Sequence, residues 1–99
     1  MALQHTVVFT LAHAAGSPEE AAFLDDGRRI LSAIPGVTDF TIREQVSPKS
    51  DLRWQFSMWF EDLAAHEAYT AHPDHVDFVA SRWATEVAKF QEYDFVDQP

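Results

Sequence analysis

Between Leu52 and Phe60 every second residue is large and apolar: Leu52, Trp54, Phe56, Met58 and Phe60 alternate with Arg53, Gln55, Ser57 and Trp59. Successive side chains of a strand point to opposite faces, so this period of two predicts a strand with one wholly buried face. The second face carries Trp59 among polar residues and is too apolar in part to stand in water.

The same period recurs near the start. His5, Val7, Phe9 and Leu11 fall on one face of a strand, with Thr6, Val8 and Thr10 on the other. Val37 to Val46 reads as a further strand, with Thr38, Phe40, Ile42, Glu44 and Val46 on one side. Ser47-Pro48-Lys49-Ser50-Asp51 is a turn that makes it a hairpin with the Leu52–Phe60 strand. Phe90 to Val96 reads as the last strand.

Helical signals fill the gaps. Ser17-Pro18-Glu19-Glu20 gives an N-cap, a proline at the first helical position and a glutamate three residues after the cap. Phe23, Leu24, Ile30, Leu31 and Ile34 follow at helical spacing, and Pro35-Gly36 stops the helix. Gly27 on that stripe admits a close neighbour or leaves a gap. Asp62 caps a second helix through Leu63, Ala65, His66 and Tyr69. His72-Pro73 interrupts it, because the residue before proline avoids helical angles. A further helix is predicted from Pro73 to Ala88, with Val76, Val79, Trp83 and Val87 on its apolar stripe.

The resulting order, β-α-β-β-α-β, is the ferredoxin-like α+β arrangement, a four-stranded antiparallel sheet with helices on one face. Val8 and Trp59 lie on the other. Pairing two such faces closes a barrel between subunits, so a homodimer is expected.

The 99 residues fit one domain spanning 1–99. Sixteen acidic against seven basic residues give a net charge of −9, which repels nucleic acid and anionic membranes. No apolar run approaches the roughly 20 residues that span a bilayer. Without cysteine there is no disulfide framework, thiolate nucleophile or thiolate zinc site. Met1 to His5 lacks the basic start of a signal peptide, so a cytoplasmic location is expected.

The run Tyr69-Thr70-Ala71-His72-Pro73-Asp74-His75-Val76-Asp77-Phe78 resembles the Y-x-x-H-P-x-H-x-x-F motif of the stress-responsive dimeric α/β-barrel (Dabb) family. His5 at the head of the first strand, Ile34-Pro35-Gly36-Val37 after the first helix and Phe90 to Asp94 fit the same pattern. The resemblance implies a homodimeric barrel and no single function. The family is similar in fold to antibiotic-biosynthesis monooxygenases. Many members are known as stress-induced or uncharacterised proteins. A polyketide cyclase among them works without metal or organic cofactor, so no cofactor is expected here. Its catalytic histidine pair falls on His5 and His75, with a supporting tyrosine on Tyr69. Trp54 stands where that cyclase has another pocket histidine and Gly27 where it has a pocket tyrosine, so the pocket and the substrate should differ.

Read from the residues, His5 faces inward by alternation, and imidazole is the side chain that exchanges protons near neutral pH. Tyr69 can donate a hydrogen bond to an imidazole or an enolate oxygen. A hydrogen-bonded core pair is the alternative role for His5 and His75. His72 reads both as a helix cap and as a pocket residue. Phe23, Gly27, Trp54 and Phe56 complete the expected pocket lining, which would suit a small apolar ligand. His13 and His66 read as surface residues. His66, His72 and His75, with Asp74 and Asp77 nearby, lack the His-x-x-x-His spacing of a helical zinc site, so no metal is expected from them. Two functions fit: a cofactor-independent enzyme that cyclises, cleaves or oxidises an enolisable apolar molecule, or a non-catalytic stress-responsive dimer.

Overall fold

The computed structural model describes residues 1–99. Strand β1 (Leu3–Leu11) is followed by helix α1 (Pro18–Leu31), the hairpin β2 (Thr38–Glu44) and β3 (Trp54–Phe60), and helices α2 (Leu63–Ala71) and α3 (Pro73–Phe78). A π-helical turn (Val79–Trp83), a short α4 (Ala84–Glu86) and β4 (Val87–Phe95) complete the chain. The sheet order is β2-β3-β1-β4, and every pairing is antiparallel. This is the ferredoxin-like α+β fold expected from the pattern. No helix is long and apolar enough to cross a membrane.

The helix starts follow the capping residues. The Ser17 hydroxyl accepts from the Glu20 backbone N–H at 3.2 Å, and the Asp62 carboxylate accepts from Ala65 N–H at 2.8 Å. Val7, Phe9 and Leu11 of β1 and Phe56, Met58 and Phe60 of β3 are buried beneath the helices. Phe23 and Leu31 of α1 and Phe78 of α3 close the core from above.

Three details depart from the sequence reading. In β2, Thr38 pairs with Trp59 but Thr41 pairs with Ser57, so β2 carries one extra residue there. Asp39 sits in this bulge at φ 51°, a left-handed conformation that aspartate tolerates better than most residues. The bulge moves Thr38 to the face of Trp59, away from Ile42.

The helix expected over Pro73 to Ala88 is interrupted by the π turn and ends at Glu86, where β4 begins. Val76 is 54% exposed, while Phe78 is buried at 2%. Phe78 and Trp83 are five residues apart, a separation that the i→i+5 pattern of a π turn accommodates on one side and an α-helix does not. Trp83 thereby packs on Phe9 and Phe90, with ring centroids at 4.9 and 5.5 Å.

The sheet face away from the helices is set by cross-strand pairing. Gln4 pairs with both Trp59 and Phe95, and Thr6 pairs with Tyr93. Directly opposed residues share a face, so Trp59, Tyr93 and Phe95 share one with Val8. The Tyr93 and Phe95 rings are stacked at 5.7 Å, and the two residues are 45% and 49% exposed.

Candidate active site

A cavity of about 190 Å³ lies between the sheet and the broken helical region. Val7, Leu31, Phe56, Met58 and Phe78 form its inner wall, and Val79, Trp83 and Phe90 its flank toward β4. Its polar groups are His5, Tyr69, His75 and Glu92. β4 is an edge strand that the helices leave largely uncovered, which opens this flank.

Each polar group is placed by a local sequence signal. His5 occupies an inward position of β1 and is buried at 7% exposure. Tyr69 projects from the last turn of α2 and is 2% exposed. His72-Pro73 breaks the helix after it, and His75 comes back over Tyr69 from the first turn of α3. The Tyr69 and His75 ring centroids are 4.6 Å apart, and those of Tyr69 and His5 are 6.1 Å apart. Tyr69 thus neighbours both histidines.

Hydrogen bonding fixes the imidazole tautomers. The backbone carbonyl of Thr70 can only accept, and His75 Nδ1 lies 2.9 Å from it. His75 Nδ1 therefore carries the proton, and Nε2 holds the free lone pair. Burial depresses the His75 pKa, the Thr70 contact partly offsets it, and the ring is kept neutral. His5 Nδ1 lies 2.6 Å from Asp94 Oδ1, so in the neutral ring it donates to that carboxylate and Nε2 is again the open nitrogen. Burial, reinforced by the negative charge of Glu92, pushes the Tyr69 hydroxyl well above its ordinary pKa of 10.0. Tyr69 accordingly stays protonated and is a donor. The cavity lining thus includes two imidazole acceptors and one phenol donor.

Phe56 lines this cavity, whereas Phe23, Gly27, Trp54 and His72 lie outside its lining. The reasons are local. Phe23 is fully buried among Phe9, Phe56 and Phe78. Gly27 faces the Phe56 ring so closely that a Cβ there would stand 2.7 Å from its Cζ. The Trp54 indole donates to Glu20 Oε2 at 3.2 Å, tying it to the start of α1. His72 Nδ1 accepts from Asp74 N–H at 3.1 Å and caps α3.

His66 is not the surface residue expected. Its side chain is 15% exposed, and its ring centroid lies 4.9 Å from that of His5. Burial, then the neighbouring His5, lowers its pKa. Asp94 and Glu92 were absent from the sequence-derived site. The register of β4 against β1 would have supplied them, since His5 pairs with Asp94 and Val7 with Glu92.

The chain matches the family model of the stress responsive A/B barrel domain over residues 3–97. A crystal structure of a Dabb family protein with a ferredoxin-like fold from Mesorhizobium loti is 54% identical, with a TM-score of 0.98 over 99% of this chain and 98% of that one. A dimeric ferredoxin-like protein of unknown function from Thermobifida fusca is 17% identical, with a TM-score of 0.77 over 98% and 92% of the two chains. The hydroxynitrile lyase of Passiflora edulis is 11% identical, with a TM-score of 0.83 over 98% and 94%. At these last two identities the likeness is one of fold alone. No curated protein matches the sequence significantly. The motif around His72-Pro73, the β-α-β-β-α-β sheet and a match covering nearly the whole chain place this protein in the stress responsive A/B barrel (Dabb) family.

Proposed function

We propose that the protein binds a small, largely apolar molecule in the His5–Tyr69–His75 cavity and acts on it by proton transfer without an organic cofactor. The observation that carries this reading is the position of Tyr69, a buried phenol held protonated beside two imidazoles with free Nε2 atoms, in a largely apolar cavity. A ligand with a carbonyl or hydroxyl head accepts from Tyr69 while His75 Nε2 takes its acidic proton. Asp94 holds the tautomer of His5, which serves as the second proton acceptor. The fold likeness to a hydroxynitrile lyase is consistent with such chemistry. The cavity volume of about 190 Å³ favours compact aryl or short alkyl substrates.

The working unit in this reading is a homodimer. Val8, Trp59, Tyr93 and Phe95 share the sheet face that no helix covers. Burying that face against a second copy removes two half-exposed aromatic rings from water. A protein of like fold is described as dimeric, which agrees with this assembly.

The test is ligand-observed NMR with a panel of small aryl aldehydes, ketones and cyanohydrins. Saturation transfer to at least one class, lost in the Tyr69→Phe and His75→Ala variants, supports the proposal. Equal transfer to wild type and variants, or none to either, contradicts it.

A further inference from the structure

We infer that His5, His66 and Asp94 form a binding site for one divalent transition-metal ion of the zinc class. The three residues come from β1, α2 and β4, and one ligand atom from each lies within 4.8 Å of the others. His66 Nε2 is 3.8 Å from Asp94 Oδ1, too far for a hydrogen bond. It is a fitting separation for two ligands of a shared ion, because zinc bonds to nitrogen and oxygen are about 2.0–2.2 Å long. His5 Nδ1 and the same carboxylate stand closer, at 2.6 Å, and must part by roughly 0.7–0.8 Å to admit a tetrahedral ion. Asp94 can yield this, since its side chain is 43% exposed on an edge strand.

The donor set favours this class of ion. Two imidazoles and one carboxylate suit zinc and its neighbours, whereas magnesium and calcium prefer oxygen alone. The two imidazoles are mostly buried, with side chains 9% and 15% exposed, so their rings are already held in place. A net charge of −9 raises the local concentration of cations. The His66, His72 and His75 set considered from sequence is different, since His72 is occupied in capping α3 and His75 Nδ1 in bonding Thr70. The site uses His66 with partners far away in the chain.

Binding at His5 Nδ1 requires the ring proton that this nitrogen donates to Asp94 to move to Nε2, so the neutral imidazole switches tautomer. The inference does not rest on the proposed acid/base function, and its readout is binding rather than turnover. Zinc chloride is titrated calorimetrically into chelator-washed protein. The expected result is saturable binding of one ion per chain. His66→Ala and Asp94→Asn should each weaken binding by at least about tenfold, since even outer-sphere changes cost that much. Asp94→Asn is at an exposed position and keeps the fold, which guards against a misfolded His66→Ala. His75→Gln should bind as wild type does. Absence of saturable binding, a stoichiometry above one without a distinct first site, or variants within tenfold of wild type would overturn the inference.

Discussion

His5 and Asp94 face each other across β1 and β4, with His5 Nδ1 2.6 Å from Asp94 Oδ1. One residue is buried and the other lies on an open edge strand, so the contact links the interior of the cavity to the rim. Asp94→Asn keeps the shape of the side chain but lets its amide accept or donate, and the tautomer of His5 is no longer fixed. We predict an unchanged fold and a change in the His5 nitrogen chemical shifts. Proton-transfer activity should fall by about 10²-fold, at the low end of what general acid–base groups contribute. Wild-type nitrogen shifts in the variant would show that the carboxylate does not set the tautomer.

Gly27→Ala tests the close contact of α1 with β3. The added methyl would meet Phe56 Cζ at 2.7 Å and Cε2 at 2.9 Å. Phe56 is fully buried and cannot swing away into solvent. Overpacking of this kind costs about 1–3 kcal/mol, which should outweigh the roughly 1 kcal/mol that alanine gains over glycine in a helix. Urea denaturation should show a lower midpoint; a raised one would mean that the ring has room to move.

The depressed His66 and His75 predict a pH dependence of stability. Both are held by burial below the ordinary value of 6.5, so the unfolded chain takes up protons before the folded one does. Their contribution is complete above pH 6.5 and is lost as the pH falls through the lower folded values. Denaturation midpoints should drop as the pH falls below about 6.5, starting above the range where ordinary carboxylates protonate. His75→Gln should flatten the slope, and a slope identical to wild type would assign the dependence to other groups.

The uncovered sheet face predicts the assembly. Trp59→Lys and Tyr93→Lys each place a charge on the face that carries Val8 and Phe95. Sedimentation should find the wild type at twice the chain mass and the variants shifted toward the monomer. A wild-type monomer at micromolar concentration would remove the intersubunit barrel.

How much of this was legible in the sequence depends on whether local or long-range pairing decides a feature. The alternation in β1 and β3, the Ser17 and Asp62 caps and the break at His72-Pro73 are written in neighbouring residues, and the sheet and helices followed from them. The bulge at Asp39 was not, because a single inserted residue is invisible until the partner strand is known. The π turn escaped for a similar reason: its phase is set by placing Phe78 and Trp83 on one core, not by propensity. His5, Tyr69 and His75 were reached through strand alternation and a family motif. His66 and Asp94 were missed because the first depends on α2 leaning toward β1 and the second on the register of an edge strand 89 residues away from His5. Trp54 read as a pocket residue because it is inward-facing and stands where the similar cyclase has a pocket histidine, yet its indole found Glu20 instead.

The central claim is that Tyr69 and His75 together move a proton on a bound small molecule. The most direct measurement is exchange of α-protons for deuterium in a small aryl ketone, followed by NMR in D2O with wild type, Tyr69→Phe and His75→Ala. The account predicts exchange accelerated by the wild type and reduced by about 10²–10⁴-fold in His75→Ala, with Tyr69→Phe also impaired and both variants still dimeric. Exchange at the same rate in wild type and His75→Ala, from a ketone that demonstrably occupies the cavity, would contradict it.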